Sequence, residues 1–523
     1  MRILTAALSL FFMLFCHPVS AEVEKGVDIK QVQTVLTKLC YEPGVVDGLW
    51  GRKTEAAVKA FFSRYNRMYR GTFDENDENF VLTVGNGATP RGLVACTPVN
   101  KESCNEKVQS FENIKVNVSG EITKFDGYPF ELPENISYQP NDATIAYYYL
   151  KNNSKLIEKN GNYKIYPIQN AKPFRKKIEK NSFIVQELNT KTIFSYLYFE
   201  NGEIIYDEVA PAERYGIAFG EDSYFSSHSV GKSITSYLVG HAICEGYIES
   251  INSKISNWEM MSTTLYFNQP IIQLLNMKSG DYSVLEDQGT FFKYTGRHIH
   301  NKEPLIHAVR TEGELKNTKT IKNPKYYYSN MTSDILFNYV MHKTGSKFET
   351  FIKNFYQNKV KIQNPVYLEM NRIGDDPHAN PPLKLRVLNG AGRYGIAATR
   401  YDYLRIAKLM MDDWQQDTCE GRYLKEVYKR RVSRNIKVSS WSAGELRWGL
   451  PTFGHTARKW AGHFLTEISG LDRQTVLVMK GNNGQSIAID MDNSRIIIIN
   501  AGKDRHFNTY KLGVEPLKYG RIR

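Results

Sequence analysis

Apolar residues recur at helical spacing in two short stretches near the start of the chain. Residues 27–40 (VDIKQVQTVLTKLC) and residues 52–66 (RKTEAAVKAFFSRYN) both place apolar side chains three and four positions apart. The segment between them, YEPGVVDGLWG, supplies Pro-Gly and Asp-Gly turns. The pattern predicts a compact unit of two amphipathic helices joined by a tight loop.

Further along the chain the pattern becomes strand-like. TIFSYLYFE and EIIYDEV flank Asn201-Gly202, which is a strong hairpin signal. Residues 229–247 (SVGKSITSYLVGHAICEGY) are apolar enough to form a largely buried helix. Residues 105–185 are rich in Asn and Lys, with only ATIAYYYL (143–150) and NYKIYPI (162–168) as candidate strands. We therefore interpret residues 105–185 as a linker with irregular additions to the next domain.

The first 21 residues have the organisation of a secretory signal peptide. Arg2 gives a positive start, Ile3 to Phe15 form a mostly apolar run, and a small-residue cleavage site ends at Ala21. A lipoprotein with Cys16 as the lipidated residue is disfavoured, because Phe15 stands where a small residue is expected. No later segment has the length of a transmembrane helix. We expect an exported protein of the periplasm or cell envelope.

Chain length and net charge do not identify a binding partner. At 523 residues, with 41% hydrophobic and 24% charged residues, the chain suggests two or three globular domains. The net charge of +13, or +12 after loss of Arg2, could favour anionic wall polymers or membrane surfaces. Scattered lysines on a solvated surface explain this excess more simply. No nucleic-acid-binding motif is present.

Export changes the interpretation of the cysteines. Six are present, and removal of Cys16 with the signal leaves Cys40, Cys96, Cys104, Cys244 and Cys419. Some should pair in an oxidising compartment, and Cys40 with Cys96 or Cys104 is plausible. Cys244 and Cys419 are expected to be buried apolar residues. Without C-x-x-C spacing, neither a zinc knuckle nor a redox motif is predicted.

The early helical stretch resembles a known small module. Residues 32–62 (VQTVLTKLCYEPGVVDGLWGRKTEAAVKAFF) resemble the peptidoglycan-binding-like domain. The resemblance rests on the turn Asp47-Gly48-x-x-Gly51 followed by Thr54, Ala57, Val58 and Phe61. It implies a small helical domain that accompanies wall enzymes and either binds peptidoglycan or serves as a spacer.

The stretch SSHSVGKS, residues 226–233, admits two chemical interpretations. A phosphate-binding P-loop needs Gly at its first position, where this chain has Ser226, so that interpretation fails. In the other, Ser229 and Lys232 form Ser-x-x-Lys on one face of a helix, where the amine can act as base toward the hydroxyl. The alternative is a Ser229 that only caps the helix and a Lys232 at the surface.

A second candidate motif is Tyr328-Ser329-Asn330, ninety-nine residues after Ser229. Tyr-x-Asn also occurs at 266–268 and 356–358, but only the sequence at 328 follows a turn signal and precedes an amphipathic helix, SDILFNYV. Its alternative is a tyrosine cluster that packs an edge.

These motifs and three further stretches together resemble the serine β-lactamase-like superfamily over residues 190–505. The stretches are IIQLLNMKSGDYS, GAGRYGIAATRYDYLRIAKLMM and VLVMKGNNGQSIAIDMDNSRIIIINAG. The most similar branch is class C-like and includes esterases, 6-aminohexanoate-dimer hydrolases and D,D-peptidase relatives. The resemblance implies an α+β fold, an antiparallel sheet flanked by helices, preceded by the small helical domain.

The resemblance also implies roles for individual residues. Ser229 would be the nucleophile, Lys232 and Tyr328 the proton-transfer groups, and Asn330 would orient Lys232 or the substrate. Neither a metal nor an organic cofactor is required.

The third motif departs from the family pattern. Asn482-Asn483-Gly484 stands where Lys-Thr-Gly is typical, and Lys480 lies two residues too early. The cation that holds a substrate carboxylate is therefore missing from this motif. Gly484 would permit close backbone approach, and the amide of Gln485 could complete an oxyanion hole with that of Ser229.

Other catalytic architectures find little support. The chain has neither the G-x-S-x-G elbow of α/β-hydrolases nor H-E-x-x-H. His298 and His300 lack partner spacing for a metal site, and His228 is interpreted as a helix-start residue.

The predicted organisation has five parts. They are a signal peptide (1–21), the peptidoglycan-binding-like domain with its extension (22–104), a linker (105–185), a hydrolase domain (186–508) and a C-terminal tail (509–523). The predicted function is a serine hydrolase acting on a small ester or amide or on a wall peptide. The alternatives are a D,D-peptidase-type enzyme and a weakly active or inactive wall-binding protein on the same scaffold.

Overall fold

The computed structural model divides the chain into two compact units, Met1–Pro140 and Asn141–Arg523. The residues that it describes are 22–23, 26–38, 41, 43–64, 69, 72–82, 162–168, 171–211, 215, 219–285, 304–309, 315–371, 373, 382–438, 441, 450–503 and 506–523. No helix within these ranges is both long and apolar enough to cross a membrane.

The first unit is helical, as the apolar spacing predicts. Its helices are α1 (Ile29–Lys38), α2 (Arg52–Arg64) and α3 (Glu75–Leu82), and its short parallel strands are β1 (Glu22–Val23) and β2 (Thr72–Phe73). The helices bury an apolar core that includes Val32, Leu36, Val58 and Phe61.

One buried glutamine fixes the loop between α1 and α2. The side chain of Gln33 donates to Asp47 Oδ1 at 3.2 Å and to Thr54 Oγ1 at 3.1 Å, and it accepts from the Gly48 amide at 2.8 Å. Gly48 has φ = +80°, which favours glycine. The Asp-Gly turn of the sequence motif is therefore held by the preceding helix.

The second unit contains mixed helices and strands. Its strands are β3 (Tyr163–Ile165), β4 (Arg175–Lys176), β5 (Ile193–Glu200), β6 (Glu203–Val209), β7 (Tyr224–Ser226), β8 (Val366–Met370), β9 (Gly392–Thr399), β10 (Val432–Ser433), β11 (Ala457–Ala461), β12 (Phe464–Ile468), β13 (Val476–Lys480), β14 (Ser486–Asp490) and β15 (Arg495–Ala501). The α-helices are α4 (Ser182–Thr190), α5 (Val230–Cys244), α6 (Ile271–Leu275), α7 (Tyr282–Leu285), α8 (Leu305–Val309), α9 (Met331–Thr344), α10 (Phe348–Lys353), α11 (Leu383–Leu388), α12 (Arg400–Gln416), α13 (Cys419–Lys429), α14 (Phe453–Thr456) and α15 (Glu515–Tyr519). Short 3₁₀ segments span Glu259–Met261, Gly345–Lys347 and Asn482–Gly484, and π-helical segments span Asn354–Val360 and Tyr510–Val514.

The larger sheet runs in the order β10-β11-β12-β13-β14-β15-β5-β6-β4. Every neighbouring pair is antiparallel except β4 with β6. The predicted hairpin forms β5 and β6, and its turn residues Asn201 and Gly202 both have positive φ, +48° and +91°. Such a turn matches the twist of the two strands.

A smaller antiparallel sheet, β3-β8-β9-β7, lies in the same unit. Helix α5 is almost entirely buried and packs against α9, α13, β9 and β13. Its first turn therefore lies where both sheets and α9 contribute side chains.

The α+β prediction, an antiparallel sheet flanked by helices after a helical first domain, is confirmed. The second unit extends beyond the predicted range 186–508 at both ends. β3 and β4 pair with strands of the two sheets, and residues 510–519 form the last helical segments, in which Leu512 and Leu517 are fully buried. The candidate strand at residues 162–168 contains β3, whereas β4 has only two residues, too few to give a periodic pattern in the sequence. The other candidate strand, residues 143–150, lies outside the described residues.

The expectation that Cys244 and Cys419 are buried apolar residues is wrong. They form a disulfide across a sequence separation of 175 residues, and neither is buried. The bond joins the last residue of α5 to the first residue of α13. Cys40, Cys96 and Cys104 lie outside the described residues.

We expect this disulfide to stabilise the second unit by about 2–4 kcal/mol, because it closes a long loop in the unfolded chain. Urea unfolding monitored by tryptophan fluorescence should show that loss in a Cys244→Ser/Cys419→Ser variant. Reductant should lower the stability of the wild type to that of the variant and leave the variant unchanged. Equal stability of the oxidised wild type and the variant would contradict the expectation.

Candidate active site

The turn before α5 fixes the position of Ser229. The Ser227 amide donates to Ile396 O at 2.8 Å, and the Ile396 amide donates to Ser227 Oγ at 2.9 Å. His228 follows in a left-handed conformation with φ = +45°, which is uncommon for a side chain of this size. The turn is thus tied to β9, and Ser229 directly precedes the helix. Its side chain makes no capping hydrogen bond.

Gly231 allows the first turn of α5 to pack directly on β9. A Cβ atom at this position would lie 2.1 Å from the carbonyl oxygen of Tyr394 and 2.8 Å from Ser227 Oγ. No larger residue fits without displacing backbone. This close approach brings the Tyr394 ring beneath the next residue, Lys232.

The side chain of Lys232 is fully buried, with 0% of its surface exposed. Its Nζ lies 3.1 Å from Ser229 Oγ, and it sits 3.5 Å from the centroid of the Tyr394 ring and 5.2 Å from that of Tyr328. Aromatic faces offset part of the cost of burying a cation. Lys232 is therefore not a surface residue, and its amine is within proton-transfer distance of the serine.

Tyr328 is the third side chain of the site and contacts Ser229. Its hydroxyl donates to Ser229 Oγ at 2.8 Å, and its ring meets that of Trp460 edge-on, with centroids 5.8 Å apart. Burial raises the pKa of the Tyr328 hydroxyl, while the hydrogen bond to Ser229 lowers it. The balance keeps Tyr328 protonated at neutral pH, so it is a proton donor in the resting site.

Asn330 and Ser329 anchor the Tyr328 segment at the start of α9. Asn330 Oδ1 accepts from the Tyr394 hydroxyl at 3.2 Å, which links it to the ring beneath Lys232. Ser329 Oγ donates to the buried Asp281 carboxylate at 2.5 Å. Burial raises the pKa of Asp281. Asn330 thus acts on the lysine pocket through Tyr394.

The two other Tyr-x-Asn tyrosines are fully buried, and Tyr266 shares the Asp281 carboxylate with Ser329. The Tyr266 hydroxyl donates to Asp281 at 3.0 Å, and the Tyr356 ring packs against Phe355.

The turn after β13 meets the serine segment through Gly481. A Cβ at Gly481 would lie 2.5 Å from Ser227 O and 3.1 Å from His228 Cβ, whereas one at Gly484 would contact Ala501 and Phe507. Asn482, between them in the chain, is exposed.

Gln485 is the residue at the end of this turn, and it is buried. It is 2% exposed, its amide donates to Asn482 O at 3.4 Å, and its side chain donates to Ala501 O at 2.6 Å. Lys480 Nζ donates to Gly481 O at 2.8 Å. The structure therefore brings Ser229, Lys232 and Tyr328 together, and it brings Gly481 rather than Gly484 against the residues that precede Ser229.

Sequence reasoning missed Tyr394, Trp460 and His463. Tyr394 lies in a stretch that carried the family resemblance, but no spacing rule connects it to a lysine on another element. Trp460 donates to Leu275 O at 3.0 Å, which fixes its ring beside Tyr328. These contacts depend on tertiary packing, so no local signal indicates them.

Metal ligands are sparse in the described part of the chain. The one group with suitable spacing there is Cys244, Cys419 and Glu420, and its two cysteines are joined in the disulfide. His298 and His300 lie outside the described residues.

His463 is a buried histidine behind the lysine. Its Nδ1 contacts Lys232 O at 3.0 Å, and its own carbonyl accepts from Ser233 Oγ at 2.6 Å. Burial, with a further contribution from the Lys232 charge, lowers the pKa of His463 to about 3. The neutral imidazole therefore supports the backbone of α5.

We expect His463 to make the protein acid-sensitive between about pH 6.5 and pH 3. In that window the unfolded chain binds a proton that the native imidazole does not, so the free energy of unfolding falls as pH falls. His463→Asn, which tolerates the local φ of +74°, should flatten this slope by up to about 1.4 kcal/mol per pH unit. Urea unfolding over this pH range measures the slope, and parallel curves would refute the expectation.

Comparison with known proteins supports the first unit directly. Residues 25–66 match the family described as "Putative peptidoglycan binding domain". The predicted resemblance of the early helical stretch is thereby confirmed. No curated protein sequence matches the chain.

Solved structures similar to the chain include three named hydrolases or amidases. "Putative 6-aminohexanoate-dimer hydrolase from Bacillus anthracis" has a TM-score of 0.48 and 12% identity, covering 72% of this chain and 93% of that one. D-amino acid amidase from Ochrobactrum anthropi SV3 has a TM-score of 0.41 and 14% identity, covering 62% and 91%. The hydrolase EstCE1 has a TM-score of 0.44 and 12% identity, covering 64% and 97%. The chemistry of this chain has to be argued from its own site.

Proposed function

We propose that the protein is an exported serine hydrolase that cleaves an ester or amide bond through an acyl-enzyme on Ser229. One observation carries the proposal: Ser229 Oγ lies 3.1 Å from Lys232 Nζ and 2.8 Å from the Tyr328 hydroxyl, at the start of a long helix. A partly exposed hydroxyl between a buried amine and a phenol is the arrangement of an activated nucleophile.

The first half of the reaction forms the acyl-enzyme. In its neutral form Lys232 accepts the Ser229 proton while Oγ bonds to the carbonyl carbon of the substrate. As the bond to the leaving group breaks, Tyr328 donates its proton to the leaving oxygen or nitrogen, and the Lys232 ammonium returns a proton to Tyr328. This order fits the raised pKa of Tyr328, which favours its role as an acid.

The second half releases the acyl group. Water adds to the acyl carbon and gives a proton to Lys232. The ester bond to Ser229 then breaks as the Lys232 ammonium gives that proton to Oγ, which restores the neutral amine. No step requires a metal or an organic cofactor.

Backbone amides and the helix supply the charge stabilisation. The N-terminus of α5 favours negative charge, and the Ser229 amide lies there. For the second oxyanion donor, the Asn482 amide is better placed than that of Gln485. Asn482 is exposed and follows Gly481, whereas the Gln485 amide is buried and already donates within the turn.

Labelling with a fluorophosphonate probe tests the nucleophile. Intact mass should show one covalent adduct on the wild type and none on Ser229→Ala. Lys232→Met should slow labelling by about a hundredfold or more, the usual scale of a lost general base. Lys254→Met, which removes an exposed lysine, is the matched control and should label at the wild-type rate.

Absence of an adduct on folded wild type would instead favour the second candidate, an inactive wall-binding protein on the same scaffold. The first unit keeps that candidate open, because its family is described as peptidoglycan-binding.

Peptidoglycan is the partner we propose for the first unit, with the periplasm or cell envelope as the location. The family match supports the partner. The Cys244–Cys419 disulfide supports an oxidising compartment, because such bonds are rare in the cytosol. The loop between α1 and α2 also exposes two apolar side chains, Val45 at 76% and Leu49 at 70%, as a contact surface.

Co-sedimentation of the full chain with purified peptidoglycan sacculi tests this surface. Val45→Asp/Leu49→Asp should weaken binding at least about tenfold, since each buried apolar side chain contributes about 1.5–3 kcal/mol. Leu388→Asp, which alters an apolar side chain of the second unit that is 60% exposed, should bind like the wild type. Equal sedimentation of all three proteins would reject the assignment.

A further inference from the structure

One loop holds the backbone on both sides of Tyr328. The loop comprises residues 276–281, which directly follow α6. Met277 O accepts from the Tyr327 amide at 2.9 Å, and Met277 Sδ accepts from the Ser329 amide at 3.4 Å. Met277 has φ = +51°, which is uncommon for a side chain of this size. The backbone position of Tyr328 is therefore set by this loop.

The start of the loop also fixes the aromatic partner of Tyr328. Trp460 Nε1 donates to Leu275 O at 3.0 Å, and the Gly462 amide donates to Asn276 Oδ1 at 3.0 Å. The Trp460 ring meets the Tyr328 ring edge-on. Both aromatic rings are thus positioned from the same short stretch of chain.

Asp281, the last residue of the loop, is a buried carboxylate with 1% of its surface exposed. Its Oδ2 accepts from Ser329 Oγ at 2.5 Å and from the Tyr266 hydroxyl at 3.0 Å. Among the residues that the structure describes, no Lys, Arg or His side chain lies within ion-pair distance of Asp281. Burial of a carboxylate without a counter-ion is costly, so packing alone would favour an apolar residue at this position.

The two hydroxyl donors to this carboxylate belong to different parts of the fold. Ser329 directly follows Tyr328, whose hydroxyl donates to Ser229. The backbone of Tyr266 instead makes hydrogen bonds within the turn 264–269. Loss of the Ser329 hydroxyl should therefore disturb the reacting groups, whereas loss of the Tyr266 hydroxyl should affect the stability of the fold.

We propose that Asp281 is a positioning residue that, through Ser329, holds the Tyr328 hydroxyl in place against Ser229. The inference rests on the proposed hydrolase function for its effect on the reaction rate. Hydrogen bonds to an ionised carboxylate are short and strong, which suits Asp281 to fix a segment from outside the site. Because Tyr328 protonates the leaving group, its displacement should cost most where the leaving group needs that proton.

Two alkyl phosphonate probes that differ only in their leaving group test this role. Ser229 Oγ bonds to phosphorus as the bond to the leaving oxygen breaks. Lys232 takes the serine proton, Tyr328 protonates the leaving oxygen, and the Lys232 ammonium returns a proton to Tyr328. p-Nitrophenoxide leaves readily without that proton, whereas the more basic phenoxide needs it. Ser329→Ala should slow labelling by the phenyl probe about tenfold, the scale of one lost hydrogen bond to a charged group, and labelling by the p-nitrophenyl probe less than about threefold.

A double-mutant cycle shows whether Asp281 acts through Ser329. With the phenyl probe, Asp281→Ala and the double variant Asp281→Ala/Ser329→Ala should be as slow as Ser329→Ala, because each breaks the same link. Asp281→Asn keeps an oxygen that accepts from Ser329 and should recover part of the rate. Ser329→Ala, which removes a single hydroxyl, keeps the test available if Asp281→Ala does not fold.

Tyr266→Phe is the matched control, because it removes the other donor to the same carboxylate oxygen. It should lower the free energy of unfolding and still label at the wild-type rate with both probes. A Tyr266→Phe variant as slow as Ser329→Ala would show a merely structural role and overturn the assignment. Losses that multiply in the double variant would overturn it as well.

Fluorine NMR of protein labelled with 5-fluorotryptophan distinguishes this inference from the proposed function. The chain has six tryptophans, and the resonance missing from Trp460→Phe identifies that of Trp460. This resonance should shift in Ser329→Ala and stay in place in Tyr266→Phe, because the Tyr328 ring packs on Trp460. A shifted resonance together with an unreactive wild-type Ser229 would uphold the positioning role and reject the hydrolase. An unmoved resonance and unchanged labelling in Ser329→Ala, beside normal labelling of the wild type, would do the reverse.

Discussion

The burial of one amine against one serine is the constraint on which the site depends. Lys232 has no exposed surface, because the first turn of α5 lies directly on β9, and its Nζ lies 3.1 Å from Ser229 Oγ. That packing leaves no space for a side chain at Gly231, and it places the Tyr394 ring under the amine. Nucleophile, base and aromatic floor are therefore consequences of a single helix–strand contact.

The residues around Ser229, Lys232 and Tyr328 are also positioned by packing between elements. Asn330 holds Tyr394 and His463 holds the backbone of Lys232, each through one hydrogen bond, and Trp460 packs edge-on against Tyr328. Most of these groups are buried and uncharged, so the site offers little water to compete for the proton between serine and lysine. Rigid positioning of this kind reduces the reorganisation that proton transfer would otherwise require.

The features of the fold that depend on residues close together in the sequence could be predicted from local spacing. The helix spacing around Val32, the Asn201-Gly202 hairpin, and Ser229 with Lys232 on one helical face all depend on residues a few positions apart. Tyr394, Trp460 and the Cys244–Cys419 pair depend on which elements become neighbours, and local spacing in the sequence does not indicate this. The third motif is an intermediate case: the resemblance indicated the turn after β13, but which of its glycines contacts the residues before Ser229, Gly481 rather than Gly484, depends on tertiary packing.

The Cys244–Cys419 bond also changes what a cut in the chain does. Tyr328 lies inside the covalent loop that the bond closes, while Ser229 and Lys232 lie before it and β13 lies after it. A single proteolytic break anywhere between residues 245 and 418 would leave the two fragments linked, and under non-reducing conditions they would migrate as one chain. A break before Tyr328 would place the nucleophile and its phenol partner on different peptides, and the disulfide would still connect them covalently.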